Sequence, residues 1–315
     1  MPIAASRTAV AGGVAFRGRD AAWGEERLTL DFPGGPYVVE GLDPRGAAIV
    51  RERYGPLCTG RAAGPTRPPA RLRLRRARPG ELVPPVGPPK GVHELAIEHA
   101  PGVVRLDGRG WKARLRTESP VEGEILLAEA VPDDLVAVVE NTLRVMAAYR
   151  LHRAGGVLLH SAGVVSNGRA YLFVGRSGAG KTTFARRSLS EGRAVLSDDL
   201  NAILPGSGGL RVRQVPFAGE LGVSPLGGAR RDYPLAGIYG LAHLADAEAP
   251  AVVSPLPPSE ALGLLLCAAS GVNGDPERRE ELLDALGRLL SVVRRGRVAF
   301  SVRGRVWDVL EGAEP

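Results

Sequence analysis

Apolar positions along the chain fall into short alternating runs first and longer continuous or helical runs later. Between residues 1 and about 130, "RLTLDF" and "PYVVEGL" read as strands separated by Pro33, Gly34 and Gly35. "PRGAAIVRERYG" predicts a short helix from Pro44 to Tyr54. "GVVRLDGRGWKARL" predicts a hairpin turning at Asp107-Gly108. In "PPARLRLRRARPG", Leu72 and Leu74 alternate with arginines, which predicts an exposed strand between proline-rich turns. From Pro132 and Asp133 to the Gly155-Gly156 stop, Leu135, Val138, Val139, Leu143, Met146 and Tyr149 recur at helical spacing. That stripe predicts a helix with a core face, standing as a hinge between a β-rich region (1–130), suited to partner or substrate recognition, and a second domain (131–315).

The second domain opens with "GVLLHSAGVVSNGRAYLFVG". Asn167-Gly168 is a two-residue hairpin signal, so strand Val157–Val165 is expected to lie antiparallel to strand Ala170–Val174. "RAVLSDDL" predicts a short buried strand ending at Asp198 and Asp199, and "PLAGIYGLAHL" another buried strand. "PSEALGLLLCAAS" and "PERREELLDALGRLLSVVRRG" predict helices, and "RVAFSVRGRVWDVL" a last strand with a short helix.

The chemistry concentrates where the hairpin ends. Gly175, Gly180, Lys181 and Thr182 meet the pattern G-x-x-x-x-G-K-[ST] between an apolar strand and a helix. In such a P-loop, residues without a Cβ let backbone N–H groups turn around phosphate oxygens, and the next helix aims its N-terminus at the same anion. The candidate nucleotide-binding residues are Gly175, Arg176, Ser177, Gly178, Ala179, Gly180, Lys181, Thr182 and Thr183. Lys181 suits the β- and γ-phosphates of ATP, and the Thr182 hydroxyl suits Mg²⁺. Asp198 and Asp199, on the next strand, suit metal and proton work: one can hold the cation, the other can take a proton from an attacking hydroxyl. His160 lies on an otherwise apolar strand, where a lone histidine ordinarily reads as a hydrogen-bonded core residue. Arg230 and Arg231 could meet a phosphate, although a solvated loop accounts for them as well.

Composition narrows the classes. The chain has 315 residues and a formal net charge of +7, carried mainly by arginine. Aromatics are scarce and do not alternate with the basic residues, which argues against nucleic acid as partner and leaves an acidic partner surface open. No apolar run approaches about eighteen residues, so no membrane span is expected. The N-terminus has no apolar core of signal-peptide length. Two distant cysteines, Cys58 and Cys267, make neither a metal pattern nor a disulfide framework. A cytoplasmic protein is expected, and a homo-oligomer stays open.

Taken together, His160, Lys181 and the pair Asp198-Asp199 resemble the HPr kinase/phosphorylase family, whose P-loop core is related to ATP-dependent phosphoenolpyruvate carboxykinase. The resemblance covers roughly residues 155 to 225. It implies an α/β P-loop kinase core, a mixed sheet with a hairpin before the loop, behind a β-rich N-terminal region. It also implies ATP- and Mg²⁺-dependent phosphoryl transfer to a serine hydroxyl of a protein or peptide. In that family's terms His160 would assist at the phosphate site, Lys181 bind phosphate and Thr182 bind Mg²⁺. Asp199 would be the base and Asp198 its neighbour near the metal. The family's glutamate-bearing segment corresponds here to "PFAGELG", with Glu220 as a substitute metal ligand. The alternatives are a P-loop small-molecule kinase and a non-catalytic ATP-binding regulator. Transporter-type ATPases and GTPases are set aside because neither an LSGGQ-like nor an N-K-x-D motif is present.

Overall fold

The structure is a computed structural model and describes residues 22–58, 68–78, 80–82, 95–128, 135–217, 219–222, 232–301 and 304–312. It is a mixed α/β chain with two sheets. Two compact units divide it, residues 1–150 and 151–315. The division falls near the end of the long helix rather than ahead of it. Arg230 and Arg231, and the expected helix start at Pro132 and Asp133, lie outside the described residues.

The first unit contains strands β1 (Glu26–Phe32), β2 (Gly35–Leu42) and β3 (Ala70–Arg76), then β4 (Ala96–Ala100), β5 (Val103–Gly108), β6 (Trp111–Arg116) and β7 (Glu122–Leu127). Their order in the sheet is β1-β2-β3-β7-β6-β5-β4. Helix α1 (Pro44–Tyr54) starts where Asp43 accepts a 2.6 Å hydrogen bond from the Gly46 amide, with Pro44 at the first helical position. Helix α2 (Leu135–Arg153) buries the expected stripe, Leu135 to Tyr149, as core. Its Glu140 ties it to α1 through Arg53 at 2.6 Å.

Two expectations change here. β3 is an interior strand, paired in parallel with both β2 and β7, and only its arginine face is exposed. Leu72 and Leu74 are fully buried on its core face. The opposite face carries the arginines, where Arg73 meets Glu40 at 2.9 Å and Arg75 meets Glu124 at 2.7 Å. Period-two alternation gives a strand one apolar and one polar face wherever it lies in the sheet. The β5–β6 hairpin turns at Arg109-Gly110, two residues later than expected, with Gly108 opposite Trp111. Gly110 has φ +73°, a value that glycine adopts at little cost.

The second unit runs β8 (Val157–Ser166), β9 (Arg169–Val174), α3 (Lys181–Ser190), β10 (Ala194–Ser197), β11 (Leu200–Gly206), β12 (Gly209–Gln214) and β13 (Asp232–His243). It continues with β14 (Val252–Ser254), α4 (Pro258–Ala268), α5 (Arg279–Val292), β15 (Arg294–Phe300) and α6 (Trp307–Gly312). The last residues of the expected second helix, from Arg294 on, are strand.

β8 and β9 form the antiparallel hairpin, with Asn167 at φ 49° and Gly168 at φ 73° in the turn. Positive φ at both central residues fits the twist of a two-residue hairpin. β9 therefore has β8 antiparallel on one edge and β13 parallel on the other. The far edge of β8 takes β10 at Gly163–Val165 and β11 at Val157–His160. Beneath β9, Phe173 packs on Phe184 of α3 with ring centroids 4.0 Å apart. Phe184 also meets Phe300 at 5.2 Å and Trp307 at 6.4 Å. This aromatic core anchors the first turn of α3 and so fixes where Lys181 stands. Among the described residues, no helix is long and apolar enough to cross a membrane.

Candidate functional site

Residues 175–180 leave the carboxyl end of β9 and enter α3. The loop is wound tightly: a Cβ on Gly175 would fall 2.6 Å from that of Ala179. Gly178 and Gly180 have φ +80° and +88°, in the left-handed region that disfavours side chains. Arg176, Ser177 and Gly178 are exposed, while Gly175, Ala179, Gly180, Thr182 and Thr183 are half-buried. The Phe184 amide closes the first α-helical bond to Gly180 at 2.7 Å. Lys181, Thr182 and Thr183 are therefore the helix's leading amides, which have no intrahelical acceptor.

Lys181 is buried, and its Nζ donates to the carbonyls of Gly175 (3.1 Å) and Arg176 (3.4 Å). Burial lowers its pKa from the ordinary lysine value, and the charge of Asp199 works in the opposite direction. An ammonium folded over its own loop and bonded there to carbonyls is chemically complementary to a phosphate. The amides, the glycine conformations and this lysine together form a cradle that suits phosphate oxygens.

The two aspartates lie where the chain passes from β10 to β11. Ser197 Oγ accepts from the amides of Asp199 (3.1 Å) and Leu200 (3.2 Å), holding the bend. The Ser161 amide donates to the Asp199 carbonyl at 2.9 Å. Asp198 is buried and its Oδ2 accepts from Thr182 Oγ1 at 2.9 Å. Its Oδ1 accepts from the Leu221 amide at 3.4 Å. Asp199 Oδ1 lies 3.4 Å from His160 Nε2, both groups being partly exposed. The structure thus brings together Lys181, Thr182, Asp198, Asp199 and His160, which are up to thirty-nine positions apart in the chain.

The oxygens of Thr182 and Asp198 fit a hard cation that takes most of its remaining ligands from water and phosphate. Among the described residues, no group of three or more His, Cys, Asp or Glu side chains could hold a metal by itself. Glu220 is next to this site in sequence, but its exposed carboxylate faces Arg186 at 3.7 Å.

Three residues at the site escaped sequence reasoning. Gly219 lies hard against Asp198, whose Oδ1 would be 2.0 Å from a Cβ there. Asn201 donates to Ser161 O (2.8 Å) and Oγ (3.1 Å), pinning β11 beside the His160 strand. His243, at the end of β13, touches the loop at Gly180. Only His243 left a signal, a polar residue closing an apolar run, at the strand end where open α/β sheets bind ligands.

A model of the family described as SynChlorMet cassette protein ScmC matches residues 126–313. No curated protein matches the chain. The match corrects the assignment to the HPr kinase/phosphorylase family: the family that the chain fits is a different one. A histidine, a P-loop and paired aspartates form a local constellation, and such a constellation does not fix a family. The matched segment is more than half of the 315 residues and takes in the hairpin, the P-loop and both aspartates, so the chain belongs to the SynChlorMet cassette protein ScmC family.

Proposed function

We propose that this protein is a Mg²⁺- and ATP-dependent phosphotransferase acting on a hydroxyl group. The observation that carries the proposal is the pair of links across the site. Asp198 is bonded to the P-loop threonine at 2.9 Å, while Asp199, one residue on, stands 3.4 Å from His160. A protein that only bound nucleotide would need the first carboxylate and not the second.

Bound Mg-ATP would supply the γ-phosphoryl group and a cation offsetting its charge. Lys181, now bonded to its loop carbonyls, would offer its ammonium to the phosphate oxygens, and Thr182 and Asp198 would hold the cation. Asp199 takes the proton from the acceptor hydroxyl, and His160 Nε2, when protonated, donates to Asp199 Oδ1 and orients it. A serine of a protein or peptide is one such acceptor. The family match removes the ground for narrowing the acceptor to serine, and the site itself asks for a hydroxyl. ATP supply makes the cytoplasm the natural place of work.

The test is to follow ATP consumption by the purified chain with and without Mg²⁺, both with water alone and with hydroxyl-bearing peptides and small molecules. Mg²⁺-dependent turnover, accelerated by an acceptor that becomes phosphorylated, is expected. ATP binding without turnover under any of these conditions would favour a nucleotide-binding regulator.

A further inference from the structure

His160 and the two aspartates lie toward one edge of β9. β8 on that edge carries His160, and Asp198 and Asp199 lie beyond it. On the other edge β13 runs parallel to β9, with Gly240 opposite Val174. β13 continues for three residues past this register and ends at His243, opposite Phe300 of β15. The His243 side chain is exposed. Its ring lies on Phe300, with centroids 5.1 Å apart and planes inclined by 38°. Phe300 is itself fully buried against Phe184 of the P-loop helix. The Cε1–Nε2 edge of the imidazole abuts the loop, since a Cβ on Gly180 would fall 2.5 and 2.7 Å from those two atoms.

A flat ring with a rigid aromatic backing therefore borders the phosphate loop on the edge away from the carboxylates. A nucleoside triphosphate whose terminal phosphate faces Asp199 must carry its nucleoside away from the carboxylates. Among the described residues, His243 is the aromatic-type side chain exposed beside the loop on that edge. We propose that His243 is the base-stacking residue of the nucleotide site, receiving the nucleobase of ATP on its ring. This rests on the nucleotide-binding role given to the P-loop above. Stacking depends on a π-face and not on the imidazole's proton, so other aromatic rings should serve at this position.

The experiment is calorimetric titration of the full chain with Mg-ATP and with inorganic tripolyphosphate, which has the phosphates and no base. Wild type, His243→Ala, His243→Gln and His243→Phe are compared, each checked by thermal melt. The Ala and Gln variants should bind ATP roughly 5- to 150-fold more weakly, the usual worth of one base–aromatic stack, and tripolyphosphate unchanged. The Phe variant should bind ATP nearly as wild type does. Unchanged ATP affinity in the Ala variant, equal weakening of ATP and tripolyphosphate, or a Phe variant as weak as Ala would overturn the proposal. Failure of the wild type to bind either ligand would instead overturn the nucleotide site as a whole, and this proposal with it.

Discussion

The hydroxyl of Thr182 donates to Oδ2 of Asp198 across 2.9 Å, joining the first turn of the P-loop helix to the bend between β10 and β11. Both oxygens suit the same hard cation. Asp198→Asn keeps the shape and removes the charge. Mg²⁺ affinity in the presence of ATP should fall by about 10- to 100-fold. ATP binding in EDTA should hardly change. A Mg²⁺ titration at saturating ATP checks this, and an unshifted midpoint would remove Asp198 from the cation site.

Lys181 is the buried positive charge of the loop. In Lys181→Ala a charge-assisted contact worth about 1.5–3 kcal/mol is lost, so ATP affinity should fall by about tenfold or more. Equilibrium titration of the folded variant measures it. Wild-type affinity would contradict phosphate binding by this loop.

Gly180 is constrained twice, by φ +88° and by the His243 ring against its Cα. Gly180→Ala should cost about 1–3 kcal/mol of stability. At roughly 2–4 °C per kcal/mol for a unit of this size, the melting temperature should drop by several degrees. Gly168→Ala, at φ 73° with nothing within 4 Å of the added Cβ, provides the comparison for backbone strain alone. Equal losses at both positions would mean that the His243 contact is readily displaced.

His152 is buried beside Glu281, with Nε2 3.3 Å from Oε2. Burial lowers its pKa from 6.5, and the Glu281 hydrogen bond and charge only partly offset that. In the unfolded chain the imidazole takes its proton near pH 6.5, before the folded one does. The unfolded state thus binds more protons as pH falls below 6.5, and stability declines with it until the folded pKa is passed. His152→Gln should flatten that decline. Urea midpoints at pH 7 and pH 5 for both proteins test the sign, and parallel declines would contradict it.

The parts of the site that lie close along the chain were legible in the sequence. The P-loop pattern, the Asn167-Gly168 turn and the apolar run ending at Asp198-Asp199 each carry local chemistry that dictates local structure. The neighbour across β9 was not legible. β13 joins β9 from more than sixty positions away, and no local rule states that pairing, so His243 passed as the end of an ordinary strand. β3 was only partly legible, for a different reason. Its arginines correctly marked one exposed face, but alternation fixes only that one face is polar, and it left unread the parallel partners on both edges, whose Glu40 and Glu124 pair with those arginines. Similarly, the spacing from His160 to Asp199 describes a site chemistry, and the family match shows that it did not identify the family.

The phosphotransferase proposal turns on Asp199. The most direct measurement is the steady-state rate of Mg²⁺-dependent phosphoryl transfer by Asp199→Asn against wild type, with ATP affinity measured on the same preparations. Loss of a general base should lower the rate by about 10²–10⁴ while ATP affinity stays close to wild type, because Lys181 and the loop amides are untouched. Transfer at the wild-type rate by a folded Asp199→Asn protein would contradict the account.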